Sequence, residues 1–211
     1  VPTEVPPNDP RHLITTGLPV TIALIGATPI AEQIAARALR AGLNVIIDDV
    51  SDYRLQAISL DLRAVVRAQD SCAPGPQNQS TSPQSDLSSP SIAASPLSSL
   101  SPTLTLTQSI EPAIRAADFL IDTLLDDLEV KLELFTLFDK FAKPNAIFIT
   151  TGSILIDDLA EITFCPDRCA ALRLTVAPDN AEPIYQLIPG KQTSPQTLAI
   201  CTQLLGKLLS S

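Results

Sequence analysis

Short apolar runs alternate along this chain with stretches whose apolar positions recur every three or four residues. The first run, Val20–Ile25 (Val-Thr-Ile-Ala-Leu-Ile), stops at Gly26 and reads as a buried strand of a parallel sheet. From Pro29 to about Arg40, Ile30, Ile34, Ala35 and Leu39 fall on one face of a helix. Thr28 suits its N-cap, Pro29 its first position and Gly42 its end. Asn44–Asp48 predicts a second strand and Asp52 to Gln69 a second helix. Further on, helices are expected at Glu111–Ala117, Asp127–Phe141, Ile156–Ile162 and Ser194–Leu209. Strands are expected at Phe119–Leu124, Ala146–Thr150, Ala170–Val176 and Ile184–Ile188. Such alternation predicts an α/β fold, a doubly wound and mainly parallel sheet with helices on both faces.

Two segments break the pattern. Residues 1–19 read as a flexible Pro-rich leader, because Pro2, Pro6, Pro7 and Pro10 deny it a helix. Residues 71–103 are dominated by Ser and Pro, with neither Lys nor Arg, and read as a disordered loop. The expected organisation is therefore one domain, 20–211, interrupted by that loop.

Composition narrows the function classes. At 45% hydrophobic residues the chain can build a core, and with 4% aromatics and no Trp that core should be aliphatic. A formal charge of −9 repels phosphate backbones, which argues against nucleic-acid binding. No apolar run reaches membrane-spanning length, and Val1–Pro10 is neither a signal peptide nor a transit helix. Cys72, Cys165, Cys169 and Cys201 are too few and scattered for a disulfide framework, so reduced thiols in the cytoplasm are expected. The chain has no Met, from which a trimmed start or a fragment is expected.

The first strand–turn–helix carries the candidate chemistry. In a doubly wound sheet, ligands bind beyond the carboxyl ends of the strands, here at Gly26-Ala27-Thr28-Pro29-Ile30-Ala31. A dinucleotide site uses Gly for the tight turn, for close approach of the pyrophosphate and for helix packing. Gly26 supplies the first and Ala31 substitutes for the third. Thr28 stands at the second, where its side chain crowds the phosphates but its hydroxyl could bond one. Asp49 follows Gly26 at nearly the spacing of an acid that holds an adenosine ribose, which favours NAD over NADP. The competing interpretation is a turn that binds nothing, with Asp48 and Asp49 as solvated caps of the next helix.

Four blocks, in order, make the chain similar to the NAD-binding domain of the L-3-hydroxyacyl-CoA dehydrogenases of fatty-acid β-oxidation, from about Val20 to Leu209. The first is Ile-Gly-Ala-Thr-Pro-Ile-Ala with Ile-Ile-Asp-Asp-Val; the second is residues 116–135, which resembles the family's Ala-Asp-x-Val-Ile-Glu-Ala-x-x-Glu-Asp-x-x-x-Lys. The third is Pro-Asn-Ala-Ile-Phe-Ile-Thr-Thr-Gly-Ser-Ile-Leu. The fourth is Cys-Pro-Asp-Arg-Cys-Ala-Ala-Leu-Arg-Leu-Thr-Val-Ala-Pro, and Thr-Ser-Pro-Gln-Thr at 193–197 also fits.

The resemblance implies a Rossmann-like fold and a set of roles. Asp49 falls on the ribose-binding acid, Asp126 on a Glu near the nicotinamide end, Lys131 on its accompanying Lys, and Ser153 on the Ser that bonds the substrate's 3-oxygen. The family's general-base His falls on Arg173, its Asn on Val176, and the Glu that orients the His near Gln186. Arginine stays protonated and cannot accept the hydroxyl proton. The lone histidine, His12, is in the leader. The resemblance thus implies a weak or inactive enzyme, a pseudoenzyme with a vestigial Ser153, whose binding of NAD and of an acyl-CoA-like ligand is weak or lost. The family's CoA-holding helical hairpin corresponds to the Ser/Pro segment, and its helical domain would lie beyond Ser211. The face left by that domain suggests a homo-oligomer or a protein partner. Two alternatives stand: a non-catalytic interaction module, and a dehydrogenase of altered substrate using Ser153 with another base.

Other clusters suggest less. Cys165-x₃-Cys169 lacks a second metal-spaced pair, so structural thiols and no metal site are expected. Gly152-Ser153 lacks a nucleophile-elbow context. The acids Asp122, Asp126, Asp127 and Glu129 suit the first turn of a helix. Arg173, if buried, needs an acid such as Asp179 or Glu182.

Overall fold

The strand predicted at Val20–Ile25 forms β1 (Thr21–Ile25), near the middle of a seven-stranded sheet. The computed structural model describes residues 20–70, 102–175 and 184–210. The leader, His12, Cys72, nearly all of the Ser/Pro loop, Val176, Asp179 and Glu182 lie outside the described residues.

After β1 come α1 (Pro29–Arg40), β2 (Asn44–Asp48), α2 (Asp52–Asp70), β3 (Leu104–Thr107), α3 (Ile110–Ala116) and β4 (Phe119–Asp122). Then follow α4 (Leu128–Phe141), β5 (Ile147–Thr151), α5 (Ile156–Ala160), a 3₁₀ turn (Pro166–Arg168), β6 (Cys169–Thr175), β7 (Ile184–Pro189) and α6 (Pro195–Leu209). The strand order is β3-β2-β1-β4-β5-β6-β7; β1 to β6 are parallel and β7 is antiparallel to β6. This is a Rossmann-like doubly wound sheet, and the connection reverses direction between β1 and β4.

The strands read as unbroken apolar runs because both faces are covered. Ile22 and Leu24 of β1 face α1, α2 and α6, while Ala23 and Ile25 face α3, α4 and α5. The first face is mainly aliphatic, as expected from composition. The second is built around Phe135, Phe138 and Phe148, whose ring centroids lie 5.4 to 6.2 Å apart. Few aromatics therefore does not mean none in the core: they are concentrated at one place.

Helix ends follow the capping residues. Thr28 Oγ1 accepts from Ala31 N at 3.2 Å, Asp127 Oδ1 from Val130 N at 3.2 Å and Ser194 Oγ from Thr197 N at 3.1 Å. Asp127 and Ser194, expected as first helical residues, are thus the caps. β3 is an element the apolar pattern does not announce. Its Leu-Thr-Leu-Thr sequence forms an edge strand, and Asn44 Oδ1 fixes its start by accepting from Thr103 N at 3.1 Å and Thr103 Oγ1 at 2.9 Å. Thr103, in the segment expected as loop, already joins β2 through its carbonyl. Among the described residues no helix is long and apolar enough to cross a membrane.

Candidate functional site

At the switch point the backbone of Gly26 turns with φ +106°, a conformation that disfavours a side chain. A Cβ there would also lie 2.8 Å from Leu124 Cδ2 and 3.3 Å from Thr123 Oγ1. Thr123 holds the turn from the opposite strand, its hydroxyl reaching Ile25 O at 2.8 Å and Gly26 O at 2.7 Å. The Thr28 side chain is folded back as the helix cap, accepting from Ala31 N. Ala27 N is taken by Asp49 Oδ2 at 2.8 Å and Thr28 N by Gly26 O at 3.0 Å; Pro29 has no N–H. The amide of Ile30 is the first-turn donor that neither the turn nor the cap consumes among the described residues. These features fit a pyrophosphate against the start of α1.

Asp48 and Asp49 are both 5% exposed, which corrects their reading as solvated caps. Asp49 braces the site. Besides Ala27 N, it accepts from Ser51 N at 2.7 Å and from Arg54 at 2.7 and 3.1 Å. Burial pushes its carboxyl up, but the amides of Ser51 and Ala27 and the Arg54 guanidinium outweigh that and hold it below the usual carboxylate range. Beside it, the carboxyl ends of β1, β2 and β4 open onto a cavity of about 270 Å³ lined by Asp48, Asp49 and mainly apolar side chains of α3, α4 and the β4–α4 turn. An apolar slot beside a carboxylate at the carboxyl ends of the strands has the character of a small-molecule site in such a sheet.

The opposite end of the site rests on a buried ion pair. Lys131 Nζ lies 2.6 Å from Asp122 Oδ2, and both side chains are fully buried. Lys131 also donates to Thr151 O at 2.8 Å, while Asp122 accepts from Thr150 Oγ1 at 2.8 Å and Leu124 N at 2.9 Å. The sequence names both residues without pairing them: Lys131 enters by the resemblance, and Asp122 falls in the expected strand Phe119–Leu124 and among the acids assigned to a helix first turn, whereas it is the last residue of β4. An acid closing an apolar strand nine residues before a Lys is the signal that could have paired them.

Lys131 also stands 3.8 Å from Asp126 Oδ1. Asp126 Oδ2 accepts from Ser153 N at 2.9 Å and Ser153 Oγ at 2.8 Å. Burial raises the Asp126 carboxyl, but the Ser153 amide and hydroxyl and the charge of Lys131 bring it below its ordinary value. Gly152, with φ +101°, is required here, since a Cβ would overlap Asp126. Asp126, Lys131 and Ser153, named separately from the sequence, thus form one hydrogen-bonded and ionic cluster.

Arg173 and Gln186 are directly opposite one another on β6 and β7. Both are exposed. The expectation of a buried Arg173 in need of an acid is corrected: β5 pairs with β6 only as far as Leu172, so Arg173 projects past the covered part of the sheet. Cys165 and Cys169 are buried beside the 3₁₀ turn, where Cys169 Sγ lies 3.5 Å from Cys165 O.

The chain matches the family model described as "3-hydroxyacyl-CoA dehydrogenase, NAD binding domain" over residues 21–209. It is 26% identical over 179 residues to the L-carnitine dehydrogenase of Pseudomonas putida, covering 84% of this chain and 49% of that protein. It is 23% identical over 188 residues to the 5-formyl-3-hydroxy-2-methylpyridine 4-carboxylate 5-dehydrogenase of Mesorhizobium japonicum, covering 89% and 54%. The chain spans about half the length of these curated relatives. Among solved structures, the (S)-3-hydroxybutyryl-CoA dehydrogenase of Ralstonia eutropha superposes with a TM-score of 0.65 at 22% identity, covering 89% of this chain and 60% of that one, a likeness of fold.

Proposed function

We propose a function from one premise: this chain belongs to the family of 3-hydroxyacyl-CoA dehydrogenase NAD-binding domains. It binds NAD along the carboxyl ends of β1, β2 and β4, and it lacks the proton-accepting pair of the family's reaction, so that alone it turns over a 3-hydroxyacyl-CoA slowly or not at all. NAD, when bound, supplies the hydride acceptor. Asp49 holds the adenosine ribose, the Gly26 turn leaves room for the pyrophosphate, and Asp126 with Lys131 borders the nicotinamide end. Ser153, fixed by Asp126, keeps a hydroxyl where a substrate oxygen would lie.

The observation that carries the reading is the register of the last two strands. On this reading the base and its orienting acid correspond to Arg173 and a position near Gln186, and those two residues face each other across β6 and β7. The positions retain their partnership while the residues have lost the chemistry: a guanidinium cannot accept a proton and a carboxamide cannot stabilise an imidazolium. Titration with NADH, followed by its fluorescence, tests cofactor binding. Saturable enhancement is expected; its absence at millimolar cofactor would remove this reading.

A second reading, an interaction module, is favoured by one observation. Leu125, Leu155 and Ile184 are 84%, 64% and 62% exposed, and all three lie at the carboxyl end of the sheet. Apolar side chains gathered there suit a docked protein surface, most simply a second copy. Size-exclusion chromatography across a concentration series should show self-association that Leu155→Asp weakens; a concentration-independent monomer would argue against it.

A further inference from the structure

Resting on the NAD reading above, we propose that Asp48 binds the cofactor's adenine as a neutral acid, accepting from the N6 amino group and donating its O–H to N1, so that cofactor binding is coupled to proton uptake. Asp48 lines the same cavity as Asp49 but is placed quite differently. It is 5% exposed, and its Oδ1 is buried with no hydrogen-bond partner among the described residues. A buried carboxyl oxygen without a partner is costly, and a ligand that satisfies it recovers that cost. The surrounding walls are Ile25, Ile110, Leu124, Val130, Leu134 and Leu137, a slot suited to the faces of a purine. Asp48 belongs to the same lining, at the carboxyl end of β2.

Charges around the cavity favour the protonated form. They are Asp49 on the same strand end, Arg54 from α2 and Glu133 from α4; β1, the segment after β3 and α3 contribute none to its lining. The single cation among them, Arg54, is committed to Asp49 Oδ1 through two contacts. Asp48 is left with a like charge beside it and, among the described residues, no positive partner. Burial, reinforced by the Asp49 charge, pushes the Asp48 carboxyl up to about 6. A neutral carboxyl offers one donor and one acceptor side by side, the complement of adenine N1 and N6. The ionised form offers only acceptors and would leave N1 unmatched.

The test is NADH affinity against pH in the wild type and in Asp48→Asn, whose carboxamide offers the same donor–acceptor pair without titrating. Above about pH 6 the binding-competent fraction falls about tenfold per pH unit, so the wild-type dissociation constant should rise toward that slope. Asp48→Asn should bind tightly with a flat profile. Calorimetry in buffers of differing ionisation enthalpy should show a proton taken up by the wild type above that pH and none by the variant. A wild type that binds with a flat profile, or a slope that persists in the variant, overturns the role of Asp48 and leaves NAD binding standing. If both proteins melt cooperatively yet neither binds NADH at any pH, the NAD reading falls and this inference with it.

Discussion

Replacing Lys131 by Met is expected to destabilise the fold by about 3–5 kcal/mol, read from urea denaturation near neutral pH. The side chain is fully buried, and its removal would strand the Asp122 carboxylate, also fully buried, with only neutral donors. Thr151 O would lose its shorter hydrogen bond, from Lys131, as well. Removing one partner of a buried pair costs far more than removing both, because the survivor keeps a charge in a dry environment. The double variant Lys131→Met with Asp122→Asn should therefore recover a large part of the loss. A single variant as stable as the parent would mean that the ion pair is not formed in solution.

A rate deficit of about 10²–10⁴ is expected when acetoacetyl-CoA reduction by this chain is compared with an active member of the family, the range that positioned general acid–base catalysis contributes. Two causes could contribute, the Arg173–Gln186 pair and the chain's covering only about half of its relatives. They separate in the double variant Arg173→His with Gln186→Glu. Those positions face one another across the strands, so an imidazole and a carboxylate placed there would be within reach. If the pair limits the rate, the variant gains activity, and its rate acquires a pH dependence near the imidazole's ordinary value of about 6.5. Parent turnover within a few-fold of the active enzyme would mean that another group takes the proton.

Most of the fold is legible in the sequence for a physical reason. Parallel strands covered on both faces appear as continuous apolar runs, as at Ile22–Ile25 and Ile147–Ile149, and the helices between them are marked by Thr28, Pro29, Gly42 and Ser194. β3 escapes because an edge strand with alternating Thr needs no apolar run, and the Ser/Pro segment before it obscures its start. Local geometry is legible, as in the tight turn at Gly26. Contacts are not legible where the partner comes from another strand. Only the spacing from an acid that closes an apolar strand to a Lys nine residues on hints that Asp122 meets Lys131, and nothing near Asp48 says that its carboxyl lacks a partner among the described residues. The exposure of Arg173 depends on where β5 ends, a boundary set by its neighbour rather than by β6 itself.

The sealed ammonium of Lys131 also makes a natural timer. Lys140, Lys143 and Lys191 are open to an amine-reactive label, whereas Lys131 has no surface to offer. Its acylation must await an opening that separates α4 from β4 and β5, so the mass gained on the peptide carrying it would count how often the centre of the molecule comes apart.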